Sequence, residues 1–439
     1  MLRTIDLRGR AHSPAELLAA VPRATAARAE ALATAASLVA DVAARGEHAI
    51  REQAERFDGA VGHDIRVPAA HLDDALAGLD PRVRVALEEA IARVRRASAA
   101  QVPPATVTEL APGARVHQRW QPVRRVGLYV PGGKAVYPSS VVMNVVPAQV
   151  AGVSEVALAS PPQRAHGGRV HPVILAAARL LGVEEVYAMG GAGAIGAFAY
   201  GIESLALDPV DVVTGPGNNF VAAAKRAVAG VVGTDAEAGA TEILIVADDS
   251  ADPRLVAADL ISQAEHDEQA SAVLVTASPA LAAAVSSEIA PRVAATRHTE
   301  RVATALAGPQ SAIVLVDDLA AATAFSNAYA PEHLELHLAE PDAAAFVHAG
   351  AVFVGPDSPV SLGDYLAGSN HVLPTGGQAR YAAGLSAATF LRPQQVIEYD
   401  RVALAQVREA VVTLAQAEDL PAHGEAVQAR FEAAAGFPA

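Results

Sequence analysis

Two short segments place chemistry-capable side chains in an otherwise alanine-rich chain: Ser262-Gln263-Ala264-Glu265-His266 and Ala330-Pro331-Glu332-His333. Gln263 and His266 are three residues apart at the end of a stretch that reads as helix, so their side chains share a face. A carboxamide oxygen and an imidazole so related can serve as two ligands of a metal. Equally, His266 suits the negative end of a helix dipole and could close that helix with no further role. Glu332-His333 is a candidate acid/base pair, because an imidazole titrating near neutrality beside a carboxylate can move protons at physiological pH. The plain alternative is an ordinary Glu and His on the wet face of a strand, for which Glu335 and His337 are better candidates. The chain has 0 Cys, so no step can use a thiolate as nucleophile, metal ligand or redox partner.

Weaker candidates lie further along. Asp364 falls in Ser361-Leu362-Gly363-Asp364-Tyr365 and His371 in Gly368-Ser369-Asn370-His371, within a long loop of the kind that often carries function. Glu418 and His423 flank Leu420-Pro421-Ala422. Gln, His, Asp and His drawn from separate segments would suit zinc with nitrogen and oxygen ligands, though no spacing rule demands that they converge. Gly215-Pro216-Gly217-Asn218 follows a strand pattern and precedes a helix, a place for a backbone turn beside a phosphate. Gly191-Ala192-Gly193-Ala194-Ile195-Gly196 matches G-x-G-x-x-G after a strand, but small-residue matches arise by chance in a chain this rich in Ala and Gly.

The elements that must position these groups alternate. Residues 15–57 and 81–101 read as helical, the latter with Pro81 at its start. Short β-branched runs follow at 126–130, 155–159, 184–189, 210–214, 242–247, 272–276, 312–316 and 351–354, most of them separated by helical stretches such as 171–181, 220–232 and 253–266. After Pro331 the residues 333–338 alternate polar and apolar with period two, as a half-buried strand with the Glu-His pair at its mouth. Strands alternating with helices imply crossover units and mostly parallel sheets covered on both faces. From Pro393 onward the pattern returns to helix, at 402–417 and 425–435. The chain has 439 residues, enough for two or three domains, with 52% hydrophobic and 4% aromatic residues, so its cores are mainly Ala, Val and Leu. A formal charge of -15 without a marked basic cluster argues against nucleic acid. No secretory signal and no run of about 20 apolar residues is evident, so a cytoplasmic protein without a membrane partner is expected.

These residues, in this order, resemble the histidinol dehydrogenase family. The matching segments are Gly127-Leu128-Tyr129-Val130-Pro131-Gly132-Gly133, Gly215–Asn218, Ala238-Gly239-Ala240-Thr241-Glu242, Ser262–His266, Pro331-Glu332-His333, Gly363-Asp364-Tyr365, Asn370-His371-Val372-Leu373-Pro374 and Glu418…His423, spread over nearly the whole chain. The resemblance implies an enzyme of histidine biosynthesis that oxidises L-histidinol through L-histidinal to L-histidine, reducing two NAD with one Zn2+ per site. It implies zinc ligands Gln263, His266, Asp364 and His423, and Glu332 and His333 as the acid/base pair. Thr241 and Glu418 would touch substrate together with His333 and the zinc ligands, and Tyr129 and Asn218 would touch NAD. The implied fold is α/β: two Rossmann-like, aldehyde-dehydrogenase-like domains with helical extensions at both ends. The expected divisions are an arm at 1–26, a first domain at 27–128 and 242–385, a second at 129–241, and a tail at 386–439 that reaches a partner's site in a homodimer. One departure stands out: where most relatives carry a Gln that contacts NAD, this chain has Gly193, so that contact is lost. The nearest alternative is a paralogous zinc/NAD dehydrogenase of another primary alcohol, such as a sulfonated diol, which Glu418 argues against because it would repel an anionic substrate.

Overall fold

The computed structural model describes residues 2–23, 28–132, 135–236 and 239–432. Gly133 and Ala238 of the motifs above, residues 24–27 of the first helical region and 433–435 of the expected last helix lie outside the described residues. The chain forms two compact units, Met1–Val102 with Val123–Phe390, and Pro103–Pro122 with Leu391–Ala439.

The first unit carries two wholly parallel sheets. One has six strands in the order Arg3–Asp6, Ala312–Leu315, Ser271–Thr276, Glu242–Ala247, His333–His337 and Ala351–Val354. The other has five, in the order Glu185–Ala188, Glu155–Ser160, Arg125–Tyr129, Val212–Thr214 and Gly233–Thr234. The central strands read as continuous apolar runs because helices cover both faces. Ile243 and Ile245 pack on one side with Val256, Ala257 and Leu260 of the helix Pro253–Ala264. Leu244, Val246, Leu334 and Leu336 pack on the other with Phe325 and Tyr329 of the helix Leu319–Tyr329. Proline in the first turn opens many of these helices, and Asp252 caps Pro253–Ala264 through the Arg254 N–H.

The alternation of strands and helices is borne out, with several local corrections. Within 15–57, Gly46 adopts φ 54° and divides Arg28–Arg45 from Glu47–Gln53, and the described helix ends in a π turn at Ala54–Asp58. The return to helix at Pro393 does not occur there: Leu391–Tyr399 is a strand. It pairs antiparallel with Ala114–Pro122, which pairs in turn with Thr106–Ala111, forming the three-stranded sheet of the second unit. Pro393 is tolerated because this is an edge strand, where a missing N–H costs no ladder bond. The last two helices among the described residues are Arg401–Ala417 and Pro421–Gln428, so the latter starts at Pro421 rather than at 425.

Candidate active site

The strand His333–His337 is buried along its whole length, not half-wet as its alternation suggested. Each of its polar positions finds a partner: His333 the Glu242 carbonyl of the neighbouring strand, Glu335 the Val360 N–H, and His337 the Asp259 carboxyl of the helix Pro253–Ala264. Just before it, the helix Leu319–Tyr329 ends at Ala330 in the left-handed region, with φ 49° and ψ 68°. A non-glycine residue held there stores strain, and such strain persists only where the surroundings fix it. Arg23 does so: its guanidinium donates to the Tyr329 and Ala330 carbonyls while pairing with Glu242 at 2.6 Å.

This turn delivers Glu332 and His333, both about 5% exposed, to the amino ends of the central strands. That differs from the carboxyl-end location expected of strand mouths in α/β domains. The Glu332 carboxylate accepts from the Thr241 hydroxyl at 2.6 Å and from the Glu242 N–H at 2.9 Å. Burial pushes its pKa up to about 8 against those two hydrogen bonds. His333 Nδ1 lies 3.0 Å from the Glu242 carbonyl. A carbonyl can only accept, so Nδ1 carries the proton and Nε2 keeps its lone pair. Burial lowers the His333 pKa, which holds the ring neutral at neutral pH.

Gln263 comes from the last turn of Pro253–Ala264, and His266 lies just past that helix's end. Gln263 is fully buried, and its Nε2 donates to the Thr241 hydroxyl oxygen at 2.6 Å. Thr241 therefore links Gln263 to Glu332. The Gln263 Oε1 and the His266 Nδ1 are buried without a hydrogen-bond partner among the described residues. The other His266 nitrogen lies 4.0 Å from Asp364 Oδ2 on the short helix Val360–Tyr365. A buried amide oxygen with no donor costs about 1–3 kcal/mol, and a cation offsets that cost. Amide oxygen, imidazole and carboxylate, with no thiolate, form a donor set suited to zinc. The residues therefore fit the metal. His371, a weak candidate from sequence, lines the same cleft with Nδ1 on the Asp364 carbonyl and Nε2 3.1 Å from Ser140 Oγ.

The cleft has a volume of about 640 Å3 and is also lined by Tyr129, Gly132, Gly217, Asn218 and Tyr365, within the usual range for a small-molecule site. It lies between the amino ends of the six-stranded sheet and the carboxyl ends of the five-stranded one. Tyr129 ends the strand Arg125–Tyr129, whose neighbours Glu155–Ser160 and Val212–Thr214 lie on opposite sides. That is the topological switch point where nucleotides bind in open α/β sheets. Gly215 has φ +122°, and a side chain there would run into the Tyr129 carbonyl. Only glycine fits. The Asn218 side chain caps the helix Asn219–Ala227 through the Phe220 and Val221 N–H groups, and the Tyr129 hydroxyl accepts from the Gly191 N–H.

The G-x-G-x-x-G match lies inside the helix Gly191–Tyr200 and serves packing. A Cβ on Gly193 would sit 2.4 Å from Gln53 Oε1, and one on Gly196 would sit 3.3 Å from Val39 Cα. The side chain of Gln53 fills the space beside Gly193. Glu418 and His423 belong to the second unit, where Glu418 ends the helix Arg401–Ala417, His423 lies in Pro421–Gln428, and both side chains are exposed. Sequence reading missed the buried cluster of Asp259, Glu335 and His337 behind the site. Period-two polarity was its signal, but such a pattern does not tell a wet face from a buried ionic one.

The histidinol dehydrogenase family model matches residues 21–431. The histidinol dehydrogenase of Leifsonia xyli subsp. xyli is 65% identical over 98% of this chain and 99% of its own length, and that of Thermobifida fusca is 59% identical over 98% of each. The crystal structure of histidinol dehydrogenase from Elizabethkingia anophelis superposes with a TM-score of 0.89 at 31% identity, covering 98% of both chains. With matches of this extent in sequence and in fold, the chain belongs to the histidinol dehydrogenase family of oxidoreductases.

Proposed function

We propose that this chain oxidises L-histidinol to L-histidine through L-histidinal, with two NAD as hydride acceptors and one zinc. The observation that carries the reading is the pairing, in one cleft, of a neutral buried imidazole with a carboxylate, beside a buried amide oxygen that finds no donor among the described residues. The overall change balances as alcohol plus water plus two NAD+ giving carboxylate, two NADH and three protons. When bound, zinc supplies Lewis acidity and a template for the substrate, and NAD supplies the hydride acceptor. Gln263, His266 and Asp364, with His423, would hold the metal.

The chain's own groups handle protons and water. His333 Nε2 takes the hydroxyl proton as the first hydride leaves, since its other nitrogen is committed to the Glu242 carbonyl. Glu332, as carboxylate, takes a proton from the water that adds to the aldehyde. With no cysteine in the chain, hydration takes the place of a thiohemiacetal. His333 then serves the second oxidation as it did the first. Thr241 holds Glu332 and Gln263 at fixed separation and borders the substrate. Tyr129 and Asn218 border NAD at the switch point.

The sheets suggest the working division: residues of the six-stranded sheet hold substrate and metal, and those of the five-stranded sheet hold NAD. Glu418 would offset the substrate ammonium, and with His423 would complete the site of a partner in a cytoplasmic homodimer. The exposed Val107, Leu110, Ile397, Val402 and Leu414 of the second unit support an assembly that covers them. The test is the yield of NADH per histidinol with zinc present. Two are expected, with turnover lost on chelation and regained with zinc. One NADH with aldehyde accumulating, or full turnover without metal, overturns the reading.

A further inference from the structure

Behind the proposed metal ligands lies a buried ionic cluster that the reaction does not use. Glu335, two residues after His333 on the same face of the strand, is 1% exposed. Its Oε1 accepts the Val360 N–H at 2.6 Å, and its Oε2 lies 3.3 Å from His337 Nε2. That nitrogen is also 3.8 Å from Asp259 Oδ2. The Asp259 and Glu335 carboxyl oxygens and the His337 ring nitrogen all lie within 4.8 Å of one another, and burial raises Asp259 to about 7.

The partners matter because of what their elements carry. Asp259 is one turn before Gln263 on the helix Pro253–Ala264, which leads into His266. Val360 opens the short helix that carries Asp364. That helix has Pro359 at its N-cap and no side-chain cap of its own, so the Glu335 carboxylate satisfies its first N–H. The strand bearing Glu335 and His337 begins at His333. One cluster therefore ties together the three elements that present Gln263, His266, Asp364 and the base. Apolar side chains would fill this position between Ile245 and Val360 at no cost in ion desolvation. A fully satisfied polar network instead allows one register only.

We propose that Asp259, Glu335 and His337 are positioning residues that set the register of the metal ligands, and so the affinity for zinc, a role that rests on the assignment of Gln263, His266 and Asp364 as ligands. Outer-shell partners of metal ligands commonly change affinity 10- to 100-fold, by way of orientation.

The experiment is zinc titration of the full metal-stripped chain against a chromophoric chelator, with the melting temperature of the metal-free protein measured alongside. Glu335→Leu should weaken zinc binding at least roughly ten-fold while the metal-free chain melts near the wild-type temperature. Glu335→Gln keeps an oxygen for the Val360 N–H and an amide donor for Asp259, and should stay within about three-fold of wild type. Asp259→Ala, at the cluster's edge, should show the same loss and serves if Glu335→Leu does not fold. Wild-type affinity in both disruptive variants overturns the inference and leaves the proposed function standing. A wild-type chain that binds no zinc overturns both. Two zincs per wild-type chain, with one lost and the other unweakened in Glu335→Leu, overturns positioning in favour of a second metal at the cluster.

Discussion

Replacing Thr241 with valine removes one hydroxyl, keeps the shape, and tests the central link of the site. That hydroxyl donates to Glu332 Oε2 at 2.6 Å and accepts from Gln263 Nε2 at the same distance. A hydrogen bond to an ionised acceptor is worth about 1.5–3 kcal/mol, and one pKa unit corresponds to about 1.4 kcal/mol. Loss of the donor should therefore raise Glu332 by about 1–2 units, from about 8 to roughly 9–10. The sign follows from the proposed role: if the carboxylate is the form that takes a proton from water, oxidation of histidinal should rise with pH through this pKa. At pH 8 the ionised fraction falls from about one half to roughly 1–10%, a loss of about 5- to 50-fold that raising the pH restores. The assay is kcat for histidinal oxidation from about pH 7 to pH 10, with wild type and variant in parallel. The assay is run with zinc bound, whose charge beside Asp364 should place both inflections somewhat below these values, because Glu332 responds to the charge at Asp364, while the gap between them remains. Gln263 Nε2, left unpaired, should lower stability by about 1–3 kcal/mol. A variant whose rate falls equally at every pH, with an unmoved inflection, refutes the reasoning.

Three further outcomes are expected. His333→Asn should impair oxidation of both histidinol and histidinal, whereas Glu332→Gln should impair the aldehyde step more; equal losses on the two substrates for the Glu332 variant would contradict the division of labour. Gly193→Gln must displace the Gln53 amide, which donates to the Leu38 carbonyl, and should destabilise the chain by about 1–3 kcal/mol; thermal denaturation showing no loss would sink the packing role given to this glycine. Co-expressing His333→Asn with His423→Ala should restore about a quarter of wild-type activity if His423 acts in trans, since half of randomly paired dimers then hold one intact site. Verified heterodimers with no activity would exclude the shared site and leave the zinc assignment in place.

Local signals were enough to find much of this protein. Strand and helix alternation was legible because β-branched runs, proline at helix starts and side-chain spacing act over a few residues. Gln263 with His266, and Glu332 with His333, stood out because polar side chains are sparse in so alanine-rich a chain. The absence of cysteine alone excluded a thiolate mechanism. Other features depend on which elements become neighbours, and no local pattern encodes that. The six-stranded sheet places Glu242–Ala247 between Ser271–Thr276 and His333–His337, and this brings the Glu242 carbonyl to His333 Nδ1 and decides which nitrogen keeps its lone pair. Alternation in His333–His337 was visible, but whether its polar face met water or Asp259 was settled by the helix packed against it. Leu391–Tyr399 escaped notice because an exposed edge strand has no apolar face to mark it and Pro393 breaks its pattern. Gly193 and Gly196 matched a nucleotide-loop pattern that the sequence could weigh only against chance, and helix packing accounts for them. Residue types declare which chemistry is available within a few positions of chain; distance, burial and proton placement arise between segments far apart in sequence, and only the tertiary structure decides them.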